Sequence, residues 1–346
     1  MTNSTSPKVL FIVNVPNWAH DYKTRSLQRV LGDQYQILKR FQSEVTEADI
    51  ENADLILVYY WMQFDHMKHL EGAFLRNRNR LLIGVCSHFE LNGEWRDPGL
   101  NTLRRMARGV FANNLFLYRE LQPIMEAPVF YTPNGVATDF YRPSLESSPS
   151  TRHETSRRSQ FKVPLSSLGS VVKKLSGIGL GESTGRIHMR VGWAGSLTNH
   201  GPDQRGVEDF IIPAVRSVKA VEVVLAAREE KWRSPDEMLE FYRSIDVYIC
   251  ASRSEGTPNP CLEAAACGVA VVTTRVGNMP ELIQNGINGV FIERDIGDIA
   301  NKLTQLRDNS LLRAALSQSM LASIRAWDWK HQAENYRKMF ETILNN

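Results

Sequence analysis

No Asp-x-Asp triplet occurs in this chain, and no His, Asp and Glu fall at metal-ligand spacing, so metal-dependent transfer of a phosphate-linked group is disfavoured. No G-x-G-x-x-G follows the first apolar run, which argues against a dinucleotide oxidoreductase. Cysteine is sparse. Cys86, Cys250, Cys261 and Cys267 form no C-x-x-C pair and read as buried or helix-face thiols in a reducing compartment, not as disulfides or a zinc site. Long hydrophobic runs are missing too: V-L-F-I-V-N-V, after a polar Met1 to Pro7, is too short for a signal core or a membrane span. A cytoplasmic protein is expected. No tail of one charge sign exists, the net charge is only +3, and no nucleic-acid partner is expected.

What is present is an ordinary globular composition, 42% apolar and 23% charged, on a chain of 346 residues. That length predicts two domains of about 150 residues each. Short apolar runs alternate with helix-like stretches, the pattern of parallel sheets wrapped by helices. Strands are expected at Val9 to Val15, Leu55 to Tyr60, Leu81 to Cys86, Val110 to Ala112 and Val129 to Tyr131, with a helix beginning at Thr24. A second set covers Met189 to Trp193, Val221 to Ala226, Val247 to Ala251, Val269 to Thr274 and Gly289 to Ile292. Two doubly wound α/β domains follow, spanning 1–143 and 188–326, with ligands at the carboxyl ends of their strands. A last helix within 327–346 places Trp329, Ala333, Tyr336, Met339, Phe340 and Ile343 on one face.

Between the domains, 144–187 is rich in Ser, Gly and basic residues. Its middle repeats Leu165, Leu168, Val171, Val172, Leu175 and Ile178 at helical spacing, with Lys173 and Lys174 on the other face. Two readings stand: a mobile linker, or an amphipathic stretch over 161–180 that touches a membrane surface or a protein partner. Gly169, Gly177 and the serines favour the linker.

The most informative segment is E-G-T-P-N-P-C-L-E, Glu255 to Glu263. Asn259 suits a helix N-cap and Pro260 the first helical position, so a helix should run through the Ala-rich stretch to a left-handed Gly268. Its N–H groups and positive dipole end make an anion site. Glu255 in the loop ahead and Glu263 in the first turn would flank that site, and carboxylates accept hydrogen bonds from hydroxyls while repelling phosphate. The mixture suits a ligand that is part diphosphate and part polyol. Ordinary loop and helix-end acids would look the same in isolation.

This segment resembles the E-x7-E signature of the retaining glycosyltransferases of family four, which have the GT-B fold. The likeness continues in G-V-A-V-V-T-T-R-V-G-N-M-P-E-L-I (Gly268 to Ile283), N-G-I-N-G-V-F-I (Asn285 to Ile292) and T-P-N-G-V-A-T-D-F-Y-R-P (Thr132 to Pro143). It is strong over 190–346, usable over 80–143 and weak before 80. The resemblance implies two facing Rossmann-like domains, the first binding an acceptor and the second a nucleotide sugar, with the last helix crossing back to the first.

It further implies that Glu263 binds the ribose, Glu255 the transferred sugar, and the backbone of Gly256, Thr257, Pro258, Asn259, Pro260, Cys261 and Leu262 the diphosphate. Arg205, ahead of Gly206, takes the place of a family Lys whose cation faces the diphosphate. Gly195 and Ser196 belong to the donor-binding set, and at about the place of Ser196 the family often has an Arg, so a second cation is missing. His88, just past the strand L-L-I-G-V-C, resembles the His set against the donor sugar, and Glu90 is next to it. Arg228 lies in the loop that reads the nucleobase in that fold. The loop after the first strand lacks the family's glycines and offers Trp18, His20, Asp21, Lys23 and Arg25, joined by Trp61 of the run Tyr59, Tyr60, Trp61, Phe64, as acceptor walls. Core packing is an equally good account of the aromatics.

The expected activity is metal-independent transfer of a hexose from a nucleoside-diphosphate sugar, UDP- or GDP-linked, to a sugar, lipid-linked or small-molecule hydroxyl, with retention and no cofactor. A lipid-linked acceptor would bring the protein to the cytoplasmic face of a membrane. Rival readings are a phosphorylase or sugar-nucleotide epimerase of the same fold, and a catalytically silent interaction subunit.

Overall fold

The computed structural model describes residues 6–144, 189–198, 201 and 203–345; most of the 144–187 stretch, with the 161–180 contact candidate, lies outside them. The first sheet holds β1 (Lys8–Val13), β2 (Gln36–Phe41), β3 (Leu55–Val58), β4 (Leu81–Val85), β5 (Gly109–Ala112) and β6 (Val129–Tyr131) in the order β2-β1-β3-β4-β5-β6. The second holds β7 (Met189–Gly195), β8 (Val221–Ala227), β9 (Val247–Cys250), β10 (Ala270–Thr273) and β11 (Val290–Phe291) in the order β11-β10-β9-β7-β8. Every pairing between these strands is parallel. Parallel sheets need cover on both faces, which is why Val9 to Val13, Leu55 to Val58 and Leu81 to Ile83 are unbroken apolar runs with no exposure.

The strand β2 has no counterpart in the sequence reading. Its Q-I-L-K-R-F lies at a sheet edge and is only half-buried, so it carries charges an interior strand would exclude. Lys39 and Arg40 use that edge to reach Asp21 and Asp49. The first helix also begins earlier than Thr24, at Ala19.

The helix Trp329–Leu344 returns to the first sheet, burying Trp329, Ala333, Tyr336, Met339, Phe340 and Ile343 among Val9, Phe11, Leu27, Tyr59 and Phe111. Asp328 caps it, accepting from the Lys330 N–H at 2.8 Å, and accepts from the Thr138 N–H at 3.1 Å. The outgoing and returning chains are thus stitched together where they cross between domains: Val136 N–H donates to Trp327 O, and Trp329 N–H to Val136 O. Tyr336 hydroxyl adds a bond of 2.9 Å to Thr132 O.

In each sheet the strand order reverses once, at β1/β3 and at β7/β9, so the loops leaving those strands diverge and open a crevice. Loops at these strand ends meet across the domains: Trp18 after β1 meets Arg228 after β8, and Cys86 after β4 meets Gly256 after β9.

Candidate active site

At the β7/β9 crevice, Arg205 follows β7 and Glu255 follows β9. Arg205 Nη1 donates to Glu255 Oε1, and the Ser252 hydroxyl donates to the same oxygen at 2.8 Å. Gly206, at φ 64°, permits the turn: a Cβ there would lie 2.7 Å from the Ala251 carbonyl. Arg205 Nε, Ser254 Oγ and Thr257 Oγ1 are buried with no protein partner. A guanidinium has five N–H donors, so pairing with Glu255 leaves Arg205 able to hold an anion as well.

The helix after Glu255 runs Asn259–Ala266, closed by Gly268 at φ 75°. Its start differs from expectation. Pro258 occupies the cap position and Asn259 is already helical; instead of capping, Asn259 Oδ1 accepts from Asn134 of the first domain at 3.0 Å. Glu263 therefore sits in the second turn, not the first. Asn259 N–H is spent on Thr257 O and Cys261 N–H on Pro258 O, while Pro258 and Pro260 have none. Gly256, Thr257 and Leu262 remain as candidate N–H donors to an anion. Glu263 accepts from the Tyr242 hydroxyl at 2.6 Å; burial pushes its pKa up to about 6 against the hydrogen bonds from Tyr242 and Tyr141.

The first domain meets this loop directly. A Cβ on Gly256 would lie 1.5 Å from the Cys86 carbonyl and 2.6 Å from Asn113 Nδ2, so only glycine lets the loop seat against the end of β4. Beyond Cys86, His88 stacks on Phe116 with ring centres 4.5 Å apart, and its Nε2 is buried without a partner. Burial lowers its pKa, opposed by a hydrogen bond with Asn114 and by the Glu120 charge. The ring is therefore neutral at neutral pH, with a nitrogen free to meet a hydroxyl. Glu90 turns back into the domain, accepting from the Cys86 and Ser87 N–H groups at 2.8 and 2.9 Å, and burial pushes its pKa up to about 8.

The loop after β1 is divided between fold and cleft. Asp21 is buried and saturated by Lys39 and Arg25, each at 2.6 Å, and by the Asn17 N–H at 2.8 Å. Trp61 is buried, with Nε1 donating to Glu90 O at 3.0 Å. Neither is a binding wall: Asp21 orders the loop and Trp61 packs the core. Lys23 is buried beneath Tyr59, Phe111 and Tyr336 with its ammonium unpartnered, and burial lowers its pKa. His20 stacks flat on Tyr59 at 4.5 Å, where burial and the Lys23 charge bring its pKa down to about 3. Arg25 reaches Asn17 Oδ1 as well as Asp21. Trp18 instead faces the second domain, with the Arg228 guanidinium 4.3 Å from its ring centre.

Around Ser196, where a second cation is missing, the structure puts a carboxylate. Glu229 accepts from the hydroxyls of Ser196 and Thr198 and from the Leu197 N–H at 3.0 Å. Burial works against its charge, yet these donors hold its pKa at about 2. Nothing in A-A-R-E-E marks this glutamate apart from its neighbour; only the fold brings it to the loop after β7. Asn114 was also outside the sequence reading, although Asn-Asn between a short strand and L-F-L-Y is a cap signal.

Residues 190–309 match the family described as Glycosyl transferases group 1. Over 112 residues the chain is 30% identical to an uncharacterized glycosyltransferase of Methanocaldococcus jannaschii, covering 32% of each protein. It is 31% identical over 112 residues to a D-inositol 3-phosphate glycosyltransferase of Corynebacterium jeikeium, covering 32% of this chain and 27% of that one. These matches span about a third or less of the relatives' length. Similar solved structures extend over nearly the whole chain. Anabaena HepE in complex with UDP and glucose has a TM-score of 0.69 at 14% identity, covering 97% of this chain and 100% of that one. Sucrose-phosphate synthase from Thermosynechococcus elongatus has a TM-score of 0.70 at 12% identity, covering 99% and 100%. The fold is GT-B.

Proposed function

We propose that this protein is a retaining, metal-independent glycosyltransferase that moves a sugar from a nucleoside-diphosphate sugar to an acceptor hydroxyl. The observation that carries the reading is the Arg205–Glu255 pair at the β7/β9 crevice, seated against the His88 segment of the facing domain. The match of residues 190–309 to group 1 glycosyl transferases supports the transfer chemistry. The UDP and glucose held by the Anabaena neighbour of the same fold support a UDP-linked hexose as the first donor to try.

In this reading Glu263 takes the ribose hydroxyls, Glu255 the donor sugar, and the N–H groups of Gly256, Thr257 and Leu262 the diphosphate. As the bond from C1 to the leaving phosphate oxygen breaks, Arg205 stabilises the charge that builds on that oxygen. The acceptor oxygen forms its bond to C1 on the same face, and its proton passes to the leaving oxygen. His88 Nε2 accepts a hydrogen bond from a donor-sugar hydroxyl. Trp18 and His20 line the acceptor side, with a sugar, lipid-linked or small-molecule hydroxyl as the acceptor.

The test is thermal stabilisation by UDP, GDP, ADP and their sugars, beside Glu263→Ala. A shift with one nucleotide that the variant loses supports the donor site and identifies the base. No shift with any would overturn the reading and favour a silent subunit of the same fold, for which the carboxylate held at Ser196 to Thr198 is the specific supporting observation.

A further inference from the structure

We propose that Asn114 is a positioning residue that locks the Glu255–Gly256 loop of the second domain to the His88 imidazole of the first; its consequence for turnover rests on the reaction proposed above.

Asn114 is fully buried at the domain junction. Its Nδ2 donates to the Gly256 carbonyl and to Asn113 Oδ1, both at 3.2 Å. Its Oδ1 accepts from the Leu117 N–H at 2.9 Å and so caps the helix Leu115–Leu121. The helix it caps carries Phe116 in its first turn, and the His88 ring rests on that phenylalanine with centres 4.5 Å apart. One amide therefore ties the loop carrying Glu255 to the helix start on which the imidazole rests.

The neighbouring groups make the arrangement stiff. Asn113 Nδ2 donates to the Cys86 carbonyl at 2.9 Å, the carbonyl against which Gly256 is pressed. From the second domain, Glu281 accepts from the Leu115 N–H at 2.6 Å and from the Tyr131 hydroxyl, holding the same helix start. Separating the domains would break Asn114 from Gly256 and Leu115 from Glu281 together. Seating the Glu255 loop and orienting His88 are thus one event.

The chemistry requires an amide. Serine could cap the helix but would not span to the Gly256 carbonyl. Aspartate could cap it but would set a carboxylate against the Gly256 and Asn113 oxygens, which repel it.

The experiment follows the His88 ring proton by NMR across pH in wild type, Asn114→Ser and Asn114→Asp, with His88→Gln to assign it among the 8 histidines. Amide exchange over residues 253–258 is measured in parallel. The ring stacks on Phe116, and the groups that act on its charge are Asn114 and Glu120. Expected are a lower His88 titration point in Asn114→Ser, a higher one in Asn114→Asp, and faster loop exchange in both. Turnover should fall roughly ten- to a hundredfold in kcat with a smaller change in donor KM, as for a misaligned catalytic group. Both variants keep a cap, so a failure of one to fold leaves the other to decide. Unchanged titration and unchanged exchange would overturn the proposal whatever the turnover. Absence of turnover in the wild type, with titration and exchange shifted as stated, would instead count against the transferase reading while supporting the lock.

Discussion

The Arg228 guanidinium lies between two indoles, 4.3 Å from the centre of Trp18 in the first domain and 4.5 Å from that of Trp232 in its own. A cation between two aromatic faces is attracted by both, by ~0.5–1 kcal/mol where exposed and ~2 kcal/mol where desolvated. The contact crosses the cleft and favours the arrangement in which the domains meet. Trp18→Ala is expected to weaken nucleotide binding by roughly five- to thirtyfold, measured calorimetrically, because closure loses that contribution. An unchanged affinity would show that closure does not depend on it.

Glu263 links stability to pH. Its pKa rises from 4.5 to about 6 on folding, so the folded state holds the proton more tightly. The stabilisation is complete below pH 4.5 and lost as pH rises through about 6, a difference of about 2 kcal/mol. Glu263→Gln cannot ionise and still accepts from Tyr242. It should melt higher than wild type at about pH 7.5, match it at about pH 4, and lose ribose recognition. Equal melting at both values would count against the raised pKa.

Arg205→Met should lower kcat by roughly a hundred- to a thousandfold, the size of effect seen when a preorganised group facing developing charge is removed. Donor affinity should change less, since the charge grows mainly in the transition state. A loss confined to donor KM would show that Arg205 binds the ground state only.

Phe340→Ala removes a fully buried ring packed edge-on against Tyr35 at 5.2 Å and Phe11 at 6.2 Å. The cost should be roughly 3–5 kcal/mol in denaturant unfolding, as for other large-to-small changes in a core. A change under about 1 kcal/mol would mean the returning helix contributes little to the first domain.

Stereochemistry and metal dependence are tested together. The anomer of the product, followed by NMR during turnover, should match the donor, and turnover should survive excess EDTA. Inversion would rule out the same-face mechanism, and loss of activity with EDTA the metal-independent one.

The strands β1, β3, β4, β9 and β10 were legible because a strand buried on both faces must be continuously apolar. The edge strand β2 was not, because an edge accepts Lys39 and Arg40 and the apolar signal fades. Proline at 260 and glycine at 268 mark the helix Asn259–Ala266, but its cap position is Pro258 and not Asn259. Asn259 has a partner in the first domain, Asn134, that no local pattern reveals.

Sequence by itself determined the layered α/β architecture and the Glu255-to-Glu263 spacing at a strand-to-helix junction, since periodicity and turn chemistry are local properties. Tertiary structure alone decided which polar residues face the cleft and which serve the fold. Asp21 and Trp61 look like binding residues in a string of letters, and burial among internal partners makes them structural. Glu229 and Asn114 look ordinary, and distant chain segments give them charge state and purpose. Ionisation, hydrogen-bond satisfaction and access to a ligand depend on what is packed within a few ångströms, and that is set by contacts far apart in the chain.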